Sequence, residues 1–172
     1  TVYITYSLKD NELADINFRF DDSKVGYTVI IPGAMFVPVF LDKFRPVFED
    51  ENVRKVMFDA KPLILWLKNN GCDFNSLYSD VAVCAYLSDS TRKSNSIADV
   101  YRFYTSREIK QGSLNELFAL KEIEEYAERK LEEDGQTRLY RDVELPLVGI
   151  LADLEYTGFR VNPDILKAEG RD

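Results

Sequence analysis

Residues 55–71 read KVMFDAKPLILWLKNNG. Lys55 to Phe58 is a short apolar run, as expected of a strand buried on both faces. Asp59-Ala60-Lys61-Pro62 then turns the chain, and Leu63, Trp66 and Leu67 recur at helical spacing until Gly71. Asp59 suits a helix cap, and Pro62 falls in the first turn, where a missing N–H costs nothing. A strand running into a helix is the unit of α/β folds, and its junction is where such folds often place chemistry. Yet the residues past this turn, Pro62, Leu63 and Ile64, include no acid, base or nucleophile.

Working outward, Val2–Ser7, Asn17–Phe20 and Tyr27–Ile31 are rich in β-branched and aromatic residues and predict a three-stranded meander that Pro32-Gly33 ends. Helices are expected over Val39–Phe48, over Asp80–Leu87 with Ala82, Val83 and Tyr86 inward, and over Ile97–Tyr104. Ser88–Asn95 is polar and basic and predicts a loop. Asp80 precedes an apolar helix and suits a cap. Leu117, Leu120, Ile123, Ala127 and Leu131 predict a long amphipathic helix ended by Gly135. A last helix is expected over Arg138–Tyr156, with Val143, Leu147, Ile150, Leu151 and Leu154 on one face and Gly158 as its C-cap. Phe159–Val161 is expected to be extended, and Asn162-Pro163 to open a further helix. The sum is an α/β domain with a mixed sheet.

The chain has 172 residues, 45% hydrophobic, and carries a net charge of −8. Eight acids against three bases lie between Glu116 and Asp134, and the apolar stripe through them marks that run as a solvated helix face. An acidic domain is a poor general binder of nucleic acid. The absence of His removes Ser-His-Asp and Cys-His schemes and His-containing zinc sites. Cys72 and Cys84, without a C-x-x-C pair, are expected to be reduced structural thiols. No signal peptide and no apolar run of membrane-spanning length is visible. The start at Thr1 without a Met and the end at Asp172 inside an incipient helix lead to the expectation of a piece of a longer protein.

Two blocks carry a family resemblance. LYRDVELPLVGILADLEYTGFRVNPDIL, residues 139–166, resembles the helix that joins the 3′–5′ exonuclease domain to the thumb in bacterial DNA polymerase I, a family A polymerase. KVMFDAKPLILWLKNNGCDF followed by SDVAVCAYLSDS is similar to the second exonuclease motif and the helix after it. The resemblance implies a ribonuclease-H-like exonuclease fold over residues 1–136. It implies a connecting helix and the start of the thumb over 137–172. The implied partners are a polymerase domain of the same chain and, through the full-length protein, DNA. A cytoplasmic monomer without membrane contact is expected.

That family cuts phosphodiesters with two divalent metals about 4 Å apart, held by Asp and Glu. Its first motif, Asp-x-Glu, lies on the first strand, where residues two apart share a face. Laid on this chain, Thr5 and Ser7 occupy those positions. The second-motif Asp is replaced by Leu63. The third motif, Tyr-x-x-x-Asp, falls near Gly112 and Glu116, leaving Glu116 as the one carboxylate; the chain's own Tyr6–Asp10 match is misplaced. No metal cofactor is therefore expected in this domain, and Mg²⁺ would belong to the polymerase part. The resemblance thus implies an exonuclease-like domain of a replication and repair polymerase, itself without proofreading and structural in role. Two alternatives stand beside it. One is a metal-dependent nuclease with relocated ligands Asp10, Asp59, Asp80 and Glu116. The other is a binding module that uses the acidic helix or the basic-aromatic segment 92–110. In that segment Arg92, Lys93, Arg102, Arg107 and Lys110 interleave with Tyr101, Phe103 and Tyr104, which suits single-stranded DNA as well as a core.

Overall fold

The computed structural model describes residues 1–21, 23–91, 96–110 and 112–158. The expected strand and helix from residue 159 onward lie outside them, as do Arg92 and Lys93. Strands β1 (Val2–Lys9), β2 (Glu12–Phe20), β3 (Tyr27–Ile30), β4 (Lys55–Met57) and β5 (Leu77–Asp80) form one mixed sheet in the order β3-β2-β1-β4-β5. The meander β1-β2-β3 is antiparallel, whereas β4 and β5 run parallel to β1.

The β1–β2 hairpin is longer than the sequence pattern predicts. Asp10 and Asn11 both take positive φ, 52° and 63°. Those are the conformations that a two-residue hairpin turn requires and that Asp and Asn tolerate. β5, a short strand without alternation, was not expected at all.

The helices are α1 (Val37–Glu49), α2 (Lys61–Asn69), α3 (Val81–Ser88), α4 (Ile97–Thr105), α5 (Ser113–Glu133), α6 (Thr137–Leu139) and α7 (Leu145–Thr157). A 3₁₀ turn at Ala34–Phe36 leads into α1, and a π-helical turn at Tyr140–Glu144 joins α6 to α7. Alternation along β1 divides the core in two. Val2 and Ile4, with Tyr6 and Leu8, pack with Phe40, Phe48, Leu63, Trp66 and Leu67 of α1 and α2. Tyr3 packs on the other face with Val56 and with Leu117, Leu120 and Ile123 of α5. Gly26 lies so close to Leu117 and Leu114 that a Cβ there would meet them at 2.9 and 3.0 Å.

The expected stripes of α2 and α5 are buried, and Gly71 and Gly135 end their helices at positive φ. One helix faces otherwise than expected, and another buries a face that the sequence does not single out. In α3 the buried residues are Val81, Cys84 and Ala85, while Tyr86 is exposed. In α7 the buried face is Leu145, Val148 and Ala152. Val143, Leu147, Ile150, Leu151 and Leu154, which the sequence places on one face, are exposed. The helix is apolar on both sides, so periodicity identified the stripe but not which side this domain covers. Cys72 and Cys84 are free and buried. Among the described residues no helix is long and apolar enough to cross a membrane.

Candidate functional site

The β4–α2 junction is organised by a residue outside it. Asp59, expected to cap α2, does not: the N-cap residue is Ala60, which has no side chain to cap with, and Asp59 itself sits at φ 52°. The carboxylate of Asp80, at the end of β5, does the work for both neighbouring junctions. It accepts the N–H of Asp59 at 3.0 Å and of Ala60 at 2.8 Å, and it caps α3 through the N–H of Ala82 at 3.0 Å. Asp80 as an α3 cap was legible from its place before an apolar helix; its reach to β4–α2 was not. Burial pushes its pKa up to about 6, against the three N–H groups that favour the charged form.

Leu63 is fully buried beneath this junction, in the core shared with Ile4 and Tyr6. The Tyr6 hydroxyl donates to the Asp59 carbonyl at 2.6 Å and accepts the Leu63 N–H. Thr5 and Ser7 alternate with Ile4, Tyr6 and Leu8 and so point to the opposite face of the sheet. There Ser7 hydrogen-bonds Asp15, its cross-strand partner on β2, and Asp15 accepts from Asn17. Thr5 and Ser7, laid at the first-motif positions, therefore do not share a face with Leu63. Val2, Ile4, Tyr6 and Leu8 are the β1 side chains on the Leu63 side, and none of them is a carboxylate.

The other acids considered from sequence do not converge. Asp10 is in the hairpin turn, Glu116 is in the first turn of α5, and the Asp80 oxygens are taken by backbone N–H groups. Asp59 is next to Asp80, and burial raises its pKa. Among the described residues no three of His, Cys, Asp and Glu gather closely enough to hold a metal ion. The described side chains do not fit a two-metal phosphodiesterase centre, which needs several convergent anionic oxygens.

A feature missed from sequence ties this junction to the connecting helix. Tyr140, in the π-helical turn, is buried; its hydroxyl accepts the Asp80 N–H at 2.9 Å and lies 3.0 Å from the Ser79 hydroxyl. The next residue, Arg141, donates to the Tyr78 carbonyl and pairs with Glu128 of α5. Two consecutive residues thus hold three consecutive residues of β5. A π turn inserts one residue into the helical repeat, which re-aims side chains. Farther along, Lys61–Glu155 and Lys68–Asp153, each 2.7 Å, join α2 to α7.

In the described part of the basic-aromatic segment, residues 96–110, the tyrosines turn inward. Tyr101 is buried, and the half-buried Tyr104 hydroxyl lies 3.0 Å from that of Ser88. Arg102 is 3.3 Å from Glu108, and Arg107 pairs with Glu122 while lying over the Tyr101 ring. Lys110 lines a shallow depression with Tyr101, Phe118 and Glu122. The acids of the same surface neutralise Arg102 and Arg107, so no free basic track of those two is presented.

Residues 33–113 match the family described as the ribonuclease H-like domain of DNA polymerase I. The chain is 26% identical over 151 residues to DNA polymerase I of Geobacillus stearothermophilus, a match covering 76% of this chain and 17% of that protein. To DNA polymerase I of Bacillus subtilis (strain 168) it is 25% identical over 174 residues, covering 86% and 20%. A third relative, DNA polymerase I of Caldicellulosiruptor bescii, is 28% identical over 116 residues, covering 65% and 14%. The chain thus spans a fifth or less of these relatives. A solved structure described as the POL domain of Pol1 from M. smegmatis in complex with DNA primer-template and dNTP shares the fold. Its TM-score is 0.77 at 20% identity, over 97% of this chain and 30% of that one. These matches and the mixed five-stranded sheet agree on a ribonuclease H-like fold, and residues 33–113 are similar to that domain of bacterial DNA polymerase I.

Proposed function

We propose that this domain is a catalytically silent exonuclease fold that braces the polymerase part of a DNA polymerase I and sets the direction of the connecting helix. The division into residues 1–136 as the silent domain and 137–172 as the connection belongs to the same reading. The observation that carries it is that apolar and neutral groups fill the β4–α2 junction. Leu63 fills the core there, Tyr6 bonds across to Asp59, and the one central carboxylate, Asp80, is spent on three backbone N–H groups. Gathering acids without metals would cost desolvation and mutual repulsion, whereas burying Leu63 contributes roughly 1.5–3 kcal/mol.

The bracing role is supported by the Tyr140–Asp80 and Arg141–Tyr78 contacts, which lock the connection to β5, and by the apolar outer stripe of α7. A helix apolar on both sides is expected between two bodies of protein. The polymerase part, which would carry templated nucleotide addition with Mg²⁺, is the body that the family reading puts there, and DNA would be met through it. The test is incubation of the chain with 5′-labelled single-stranded DNA and Mg²⁺ or Mn²⁺. The oligonucleotide is expected to keep its length; a ladder of 3′-shortened products would overturn the reading.

A further inference from the structure

We infer that Glu124 and Glu128 of α5 form, with Arg141, a proton-operated latch: loss of the Glu124 proton tightens the hold of α5 and the sheet on the segment that leads into α7. The two acids are four residues apart and so lie one turn apart on the same face of α5. Glu124 is buried against the sheet, where its carboxyl accepts the Tyr3 hydroxyl of β1 at 3.0 Å. Glu128 is partly exposed and pairs with Arg141. Arg141 in turn donates to the Tyr78 carbonyl of β5 and lies over the Tyr78 ring, 4.6 Å from its centroid. One guanidinium thus ties α5 and β5 to the π-helical turn, and a buried carboxyl stands one turn from its partner.

The charged and titratable groups around Glu124 come from each element that packs on α5. On β1, Tyr3 keeps its proton, because burial holds its pKa well above the usual range, so it remains a donor throughout. Arg19 of β2 lies over the Tyr3 ring at 5.6 Å and gives its Nε–H to the Ser23 carbonyl. The Tyr78 hydroxyl of β5 reaches Glu128 at 3.4 Å, and Arg54, just before β4, lies over the same ring at 4.9 Å. α3 has no charged residue; its Cys84 packs with Tyr140, and its Tyr86 is exposed. Tyr101 of α4 meets Glu122 instead, and Arg138 of α6 pairs with Asp142. Burial pushes the Glu124 carboxyl up to about 7; Glu128 and then Glu125 add to the push, while the Tyr3 hydroxyl and Arg141 oppose it.

The direction of the latch follows from linkage. A docked Arg141 weakens the hold of Glu124 on its proton, so departure of that proton strengthens the docking of Arg141 by the same factor. Below the titration Arg141 faces the charge of Glu128; above it, Arg141 faces two carboxylates one turn apart and relieves their repulsion. Stability of the whole fold runs the other way, because burial of an ionised carboxyl acts on the entire domain. The latch therefore tightens over the window in which the fold loosens, an opposition that a solitary buried acid does not produce. The device is internal to this chain and stands apart from the bracing role of α7.

The test is a carbon-13 NMR titration of the Glu124 carboxyl in the parent chain, in Arg141→Gln and in Glu128→Gln. Arg141→Gln is expected to raise the midpoint and Glu128→Gln to lower it, each by about 0.5 pH unit, or roughly threefold in proton affinity. Exchange of the Arg141 Nε–H with solvent, corrected for its intrinsic pH dependence, is expected to slow about threefold as Glu124 titrates and to lose that response in Glu124→Gln. Glu128 is partly exposed, and in Glu128→Gln the Tyr78 contacts of Arg141 remain. Should Arg141→Gln fail to fold, the exchange measurement on the parent chain and Glu124→Gln decides. A midpoint that does not move in opposite directions in the two folded variants overturns the proposal. So does Arg141 exchange that ignores the Glu124 titration, or that keeps its response in Glu124→Gln.

Discussion

The Tyr140 hydroxyl accepts the Asp80 backbone N–H at 2.9 Å. Through the Asp80 carboxylate, which holds the N–H groups of Asp59, Ala60 and Ala82, that contact reaches two strand-to-helix junctions. Replacing Tyr140 with Phe removes the acceptor and leaves a buried N–H unpaired, at a cost of about 1–3 kcal/mol. Urea denaturation should show a lower midpoint with the slope unchanged, because the packed ring remains.

Asp80 should be the more sensitive of the two. Asp80→Asn keeps one acceptor oxygen but brings an NH₂ group against N–H donors at the other. The expected loss is about 2–4 kcal/mol, because up to three charge-assisted bonds weaken together. Asp59→Ala should cost under about 1 kcal/mol, since the Asp59 side chain caps nothing and its backbone groups remain. Equal losses at the two positions in thermal or urea unfolding would contradict this division of labour.

The contrast between Asp59 and Asp80 also marks the limit of what the sequence discloses. KVMFDAKPLILWLKNNG gives its strand and helix directly, because Pro62, the apolar spacing and Gly71 act locally. Asp80 shows its local job, capping α3, but its longer reach depends on β5 lying beside β4. Leu77–Asp80 is too short and irregular to announce itself as that strand. Thr5 and Ser7 fall at motif positions in the family register, yet alternation along β1 turns them away from Leu63. An offset of one residue reverses a strand's face, and no sequence spacing guards against that. Tyr140 gave no signal, since nothing local marks a π turn.

Leu63→Asp tests whether the junction can be returned to metal chemistry by one acid. The new carboxylate would be buried beside the apolar side chains of Ile4 and Tyr6, with Thr5 and Ser7 on the other face. The expected outcome is destabilisation by about 3 kcal/mol or more, without metal-dependent trimming of single-stranded DNA. A stable variant whose melting temperature rises with Mn²⁺ would show that the ligands had only been lacking one member.

Stability should also respond to pH through Glu124. It is 7% exposed, accepts the Tyr3 hydroxyl at 3.0 Å, and its pKa is pushed up to about 7 by burial, with Glu128 adding to the push. A folded-state pKa above the unfolded value means that the folded chain binds the extra proton. Its contribution is complete below the unfolded pKa of 4.5 and is lost as pH rises through about 7. Asp80, pushed to about 6, acts in the same direction. Unfolding free energy should therefore fall by on the order of 1–3 kcal/mol between about pH 4.5 and 7. Glu124→Gln should flatten much of that slope by supplying a neutral acceptor for Tyr3 at every pH.

The outer stripe of α7 distinguishes a brace from a bystander. Ile150, Leu151 and Leu154 are each about half exposed in this chain, so a change there removes little packing within it. Leu151→Ser should shift the stability of the 172-residue chain by no more than about 0.5 kcal/mol. In the longer polymerase proposed above the same position would be buried against further protein, and loss of its apolar area there should cost about 1–3 kcal/mol. The measurement is a pair of denaturation curves, one on the chain and one on the longer protein, with the variant and its parent in each. A large effect confined to the longer protein supports a shared interface along α7. Equal small effects in both would leave α7 without a partner and would remove the bracing role.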